Sequence, residues 1–397
     1  MPGTLRRVRY KNDPENMSRI KRFARVVAPI AAAACLGSQG RDGFTGSFKN
    51  PAIAYETGAL ADAATRLGES IANGSKRLTF DPVRGYLPSI LQALSVPIES
   101  QVTVFSQGSL QARHISAQHP RAIYFNDHAA IGWVPGADAL EIAAQDPVRG
   151  IIFYSLDQKE SPAPRFERTR ECLRCHVAWE TLAVPGLMVL STGPDDSNGY
   201  ATGGAVDHRD DIGTRWGKWY ITGPRIPQPG LGTAIKAAPW LSSAFDARNY
   251  LSPHSDIVAL MVLEHQARAM NLITYLGWEA RTGASDARIE AVVHDFVSYF
   301  TFADEAPLPG PIEGSSRFAT RFEAEGPRDS RGRSLREFDL ERRLMRYRCS
   351  YMIYSGAFDG MPPRAKRAVA SQMTVALRER DPAALDILRD TKPDLFK

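Results

Sequence analysis

Cys172, Cys175 and His176, in the run Cys172-Leu173-Arg174-Cys175-His176, are the residues of this chain whose types and spacing could do chemistry. Two thiols separated by two residues, with an imidazole directly after the second, form the attachment pattern of a c-type haem. Each thiol can add across one haem vinyl group to give a thioether, and the imidazole can ligate the iron from the proximal side. The pattern therefore predicts one covalent haem held by Cys172, Cys175 and His176. Two other chemistries compete for these residues, half of a zinc site and a dithiol redox pair. A structural zinc site wants a second Cys or His pair, which Cys349 and a distant histidine would supply only by an accident of folding. A thioredoxin-like pair opens a helix after a strand in a βαβ context, and the flanking sequence reads differently.

The sixth position on the iron decides what such a haem can do: a Met or His ligand favours electron transfer, an open position allows peroxide or gas chemistry. His208, in a polar loop, is the first candidate, and Met188, close to the motif in sequence, is the alternative. Met188 reads first as core packing on a strand, and His208 equally as a surface-loop histidine. Arg170 and Arg174 flank the motif and could pair with haem propionates. His265 lies beside Glu264 in an apolar stretch and reads as a satisfied core histidine, while His254 stands where it could cap a helix. His114, His119, His128 and His294 have no special context. Cys349 reads as a small buried residue. A Ser-His-Asp order signature, a phosphate-binding glycine loop and a His-Glu-x-x-His motif are all missing from the sequence, so non-haem catalysis has no candidate residues.

The elements that must position the motif fall into two kinds. Residues 50–73 read as a linker leading into a helix, with Leu60, Ala64, Leu67 and Ile71 at helical spacing, and a short helix follows at 89–94. From Pro97 the pattern is of short strands at 102–105, 122–125, 131–134, 140–143 and 151–154, with Gly, Pro, Asn and Asp between them. Residues 165–174 read as a helix presenting the motif, 187–190 and 216–222 as strands, and 193–213 as a glycine-rich acidic loop. Helices are expected from 255 to 281, 286 to 302, 335 to 354 and 365 to 380, the first apolar around most of its circumference and hence central. The fold class is α+β: a β-rich haem-bearing portion at 97–250 packed with a helical portion at 251–397, preceded by a linker and helical lead-in at 37–96.

Hydrophobic residues make up 43% and charged residues 23% of the 397, enough to bury a real core. A net charge of +5 without a dense basic run gives nucleic-acid binding little support; a redox partner protein is the expected partner. Four cysteines are too few for a disulfide scaffold of this size. Arg19, Lys21, Arg22 and Arg25 followed by the apolar run 26–36 read as a signal segment over residues 1–36, with Met1 or Met17 as the start. Ala32-Ala33-Ala34-Cys35 offers a lipid anchor at Cys35 as one outcome and simple cleavage near the alanines as the other. Either predicts export to the periplasm or cell envelope. No apolar run is long enough for a transmembrane span in the mature chain.

The motif resembles that of c-type cytochromes. Further stretches resemble a little-characterised group of exported bacterial proteins with a single haem-attachment motif: 121–126 with 132–135, Asp207-His208 with 215–223, 250–256 with 263–265, and 349–354. The likeness covers most of the chain after Pro97 and implies haem and export, with no reaction attached. A histidine- and glycine-rich segment expected after residue 223 is replaced here by Pro224-Arg225-Ile226-Pro227-Gln228-Pro229. The expectation is thus an exported monohaem c-type cytochrome carrying one haem c, engaged in electron transfer. Its rivals are a peroxidase-like haem enzyme or haem-based ligand sensor with an open distal site, and a non-haem metal-binding or dithiol module.

Overall fold

The structure, a computed structural model, describes residues 48–193, 203–227, 235–236 and 240–397. The expected signal segment over residues 1–36, Cys35 among them, and parts of the stretches 193–213 and 224–239 lie outside these residues. Strands β1 (Val102–Val104), β2 (Arg121–Phe125), β3 (Ala129–Trp133), β4 (Ala139–Asp146), β5 (Gly150–Asp157) and β6 (Phe166–Arg168) form an antiparallel meander in chain order. Strands β7 (Leu190–Thr192) and β8 (Gly203–Ala205) make a separate ribbon. Beyond β1 the main sheet is extended by β9 (Trp219–Ile221), antiparallel, and then by β10 (Ile235–Lys236), parallel.

Side-chain chemistry sets the turns. Between β2 and β3, the Asn126 side chain accepts from His128 N–H (3.1 Å) and Ala129 N–H (3.0 Å), an Asx-type turn. Between β4 and β5, Asp146 does the same for Val148 and Arg149 (2.9 and 2.8 Å). Gly150 then opens β5 at φ +85°, where a Cβ would stand 2.9 Å from the Pro185 carbonyl oxygen. Only glycine allows that approach without strain, and it brings the loop after Cys172–His176 against the sheet.

Alternation gives the sheet two faces. One carries Tyr124, Ile131, Ile142, Ile152 and Tyr154, all buried. Helix α1 (Ala63–Ala72) reaches this face through Asp62, which accepts from the Tyr154 hydroxyl at 2.7 Å, with α2 (Leu87–Ala93) following it. The stretch read as a linker is therefore in good part folded structure, with Ile53 and Tyr55 buried and the Tyr55 hydroxyl bonded to Ile151 O. The opposite face carries Phe125, Ala143 and Phe153, and belongs to the main core together with the long helix of the C-terminal half.

Helix α3 (Leu173–His176) is the single turn that holds the motif. Helix α4 (Ile257–Arg281) is 25 residues long and buried nearly all round, as the sequence indicates. Asp256 caps it, accepting from Val258 and Ala259 N–H. Helices α5 (Asp286–Phe300), α6 (Phe318–Ala324), α7 (Gly356–Asp359), α8 (Pro363–Arg380) and α9 (Pro382–Thr391) complete the chain; α4 contacts α5, α6, α7 and α8. Among the described residues no helix is long and apolar enough to cross a membrane. Residues 50–397 form one compact α+β unit in which the two portions share a core.

Several expected elements differ. Residues 165–174 hold an edge strand, β6, before the helical turn, because the segment pairs with β5 at 154–156. The expected strand at 187–190 is displaced to 190–192, and 203–205, read as loop, pairs with it. Residues 335–350 are turns with an isolated Phe338–Met345 bridge rather than a helix, and Tyr351–Tyr354 is a short 3-10 turn. Arg336 is the physical reason. Its guanidinium lies 4.4 Å and 4.6 Å from the ring centres of Phe322 and Tyr351 and is ion-paired with Asp127, so a residue that helical patterning puts on the surface is pulled inward.

Candidate functional site

One helical turn gathers the motif. Cys172 O accepts from Cys175 N–H (3.2 Å) and His176 N–H (2.9 Å), which puts Cys172, Cys175 and His176 on neighbouring positions of one helix face. Cys175 is exposed and Cys172 half-buried. The chain then leaves the helix through a 3-10 turn at Trp179–Thr181 and doubles back at Leu182 and Ala183, both in the left-handed region (φ 58° and 56°). Two such non-glycine residues in succession each cost about 1–2 kcal/mol, so surrounding contacts must hold the loop.

What they hold is a reciprocal pair of bonds. Gly186 N–H donates to His176 O (3.0 Å), and the His176 ring meets Gly186 O through Nδ1 at 2.8 Å. A carbonyl oxygen only accepts, so Nδ1 carries the proton and Nε2 keeps its lone pair. The ring also lies 4.8 Å, centre to centre, from Phe153 on β5. From the other side Asn271 of α4 clamps the next residue, accepting from Leu187 N–H (3.0 Å) and donating to Leu187 O (2.7 Å). Burial holds the His176 imidazole below its ordinary pKa, so it is neutral at pH 7 and available as a ligand.

Burial also pushes the Cys172 thiol up to about 11, Glu141 adding to the rise and Arg121 opposing it. Dithiol oxidoreductases work with thiols shifted the other way. Among the described residues no group of three or more His, Cys, Asp or Glu side chains is gathered as a metal ion would require; Cys349 is buried, its Sγ 3.9 Å from Ser350 O. The arrangement offers two thiols and one oriented Nε2.

The charged residues nearest the motif in sequence face water: Arg170 pairs with Glu56 (2.9 Å) and Arg174 with Glu171 (3.6 Å), each arginine about three-quarters exposed. Trp179, three residues past His176, is 84% exposed. A different pair lies on the sheet itself. Arg121 of β2 and Glu141 of β4 form an ion pair at 2.5 Å, with side chains 25% and 19% exposed.

His208 and Met188 are placed differently from each other. Met188 is half-buried in the extended segment two residues beyond Gly186. His208 is 2% exposed, its Nδ1 2.9 Å from Nδ1 of His265, among the rings of Tyr299 and Phe302. It is a core residue rather than a loop-surface one. Its ring neighbours are not those of His176, and His265 lies six residues up α4 from Asn271, about 9 Å along the axis. The second ring nitrogen of His265 meets Ser350 Oγ at 2.8 Å, whereas His208 Nε2 is buried without a hydrogen-bond partner among the described residues. Glu264 beside them takes Arg215 and the Trp216 indole N–H.

Gly186, Asn271 and Phe153, which orient His176, escape sequence reasoning because they lie on three separate elements. Asn271 alone left a signal, as a polar residue inside an apolar helical run. Compared with protein-family models, curated proteins and solved structures, the chain matches none.

Proposed function

We propose that this chain is an exported monohaem c-type cytochrome, its haem held by Cys172 and Cys175 and ligated by His176, with electron transfer as its task. The observation that carries the reading is the bond from His176 Nδ1–H to Gly186 O. Metal-ligating histidines almost always donate the other ring N–H to a backbone carbonyl or carboxylate, which fixes the tautomer and orients the ring. When bound, the haem supplies an iron that passes between Fe(II) and Fe(III) at a potential tuned by ligand and surroundings. The chain's own part is to fix the imidazole through Gly186 and Phe153, and to keep that loop on α4 through Asn271.

Export rests on the pattern of residues 17–36. Expression in a host that attaches c-type haem, followed by acid–acetone extraction, tests the reading: the colour should stay with the protein, and a colourless product rejects it. A second reading, a peroxidase-like enzyme or ligand sensor with an open sixth position, draws support from His208 being engaged with His265 in the core. A low-spin spectrum indifferent to cyanide and carbon monoxide favours the electron carrier; high-spin iron that binds them readily favours the second reading. Replacing Met188 or His208 should change the spin state only where that residue is the sixth ligand.

A further inference from the structure

Three strands build one charged device beside the motif. Sheet register sets Ile123 of β2, Gly132 of β3, Glu141 of β4 and Ser155 of β5 in one row. Phe153, whose ring lies tilted against that of His176, sits in the adjoining row of the same face, paired with Ala143. From β2, Arg121 crosses this face to Glu141 on β4 by passing directly over Gly132. A Cβ at Gly132 would fall within 2.4–2.9 Å of Nη2, Nε and Cζ of Arg121. The missing side chain on the central strand is what lets the two charges meet.

We infer that the Arg121–Glu141 pair, laid across Gly132, is a charge-setting element of the haem site that fixes the electrostatic potential felt by a cofactor on Cys172 and His176. The inference rests on the haem reading above. Arg121 and Glu141 stand on the sheet face that carries Phe153, whose ring centre lies 4.8 Å from that of His176. Being mostly buried, they are screened far less than Arg170 and Arg174. Arg121 Nε is also sealed from solvent without a hydrogen-bond partner among the described residues, while Nη2 of the same guanidinium meets Glu141 Oε2. A half-satisfied buried ion pair is poor as a stability device; as a source of fixed, opposed charge beside a redox centre it has a use. Arg121 disfavours the ferric state and Glu141 favours it.

Potentiometric titration of the full haem-bearing protein tests this. Arg121→Gln should lower the midpoint potential, Glu141→Gln should raise it, and the double variant should return close to the wild-type value. Arg121→Lys, which keeps the charge, should stay near wild type. Gly132→Ala, which keeps both charges but blocks the crossing, should shift the potential in the direction of Arg121→Gln and by less. Shifts of the same sign in both single variants mark a merely structural role and overturn the inference, as does an unmoved potential in both. Should Arg121→Gln fail to mature, Arg121→Lys and Glu141→Gln still decide: an unmoved potential in Glu141→Gln overturns it. A wild-type protein without covalent haem overturns the haem reading and this one together, whereas haem with unresponsive potentials overturns this one alone.

Discussion

His176 shows how the setting of an imidazole is decided by a backbone atom ten residues away in the chain. Its Nδ1–H is committed to Gly186 O, so Nε2 holds its lone pair in a fixed direction. The two cysteines stand in different surroundings, Cys172 half-buried and Cys175 exposed. Cys172→Ser and Cys175→Ser should each leave one thioether, read as a red-shifted α band in the pyridine haemochrome relative to wild type. An unshifted band in either variant would mean that the replaced thiol is not bonded. At the same scale, burial depresses His265 to about 3 and His208 well below its ordinary value. The folded state thus refuses protons that the unfolded chain accepts near pH 6.5. Their contribution is fully present above about pH 6.5 and is lost as pH falls from there toward about 3. Thermal melts at pH 7.5 and 5.0 should show a clear fall in Tm for wild type. His208→Gln should melt lower at pH 7.5 but lose less on going to pH 5.0.

Among the elements, α4 does most of the positioning. Asn271 holds Leu187 by both backbone groups, and Thr274, a turn further on, stands against Gly150 at the head of β5. Asn271→Ala leaves a donor and an acceptor unpaired in a closed site, at a cost of about 1–3 kcal/mol. Chemical denaturation should report that loss, and the Soret band of the variant should broaden as the His176 loop loosens. An unchanged denaturation midpoint would show that the clamp is idle. This helix was legible because its apolar run is long and its cap, Asp256, is local. The short motif helix was less so. Residues 166–168 became an edge strand by pairing with β5, a decision taken by a partner strand ten residues away that three residues of pattern cannot display. The turns at 335–350 failed for a related reason: Arg336 is drawn inward by Phe322, Tyr351 and Asp127, all remote in sequence. The thiols and imidazole could be read from spacing alone, whereas Gly186, Phe153 and the Arg121–Glu141 crossing exist only once the strands are in register.

At the scale of the molecule, the sheet and the helices do not form separable halves. Phe125, Ala143 and Phe153 on the sheet and Val258, Leu263 and Met270 on α4 belong to one buried cluster, and residues 50–397 are a single compact unit. Unfolding should therefore be one cooperative event, with far-ultraviolet circular dichroism and near-ultraviolet signals changing at the same denaturant concentration. Two separated transitions would indicate that the helical portion is stable on its own.

Trp179 gives this fold a built-in reporter. Of the six tryptophans, Trp133, Trp216, Trp219 and Trp278 are buried, Trp240 is about half exposed, and Trp179 stands almost wholly in water three residues from His176. Its emission should lie at the red edge of the spectrum, apart from that of the buried indoles. A porphyrin joined to Cys175 would sit within easy range for energy transfer and darken that component first. The fraction of chains that have received their haem could then be followed in dilute solution by the loss of one colour of fluorescence, without any absorbance measurement.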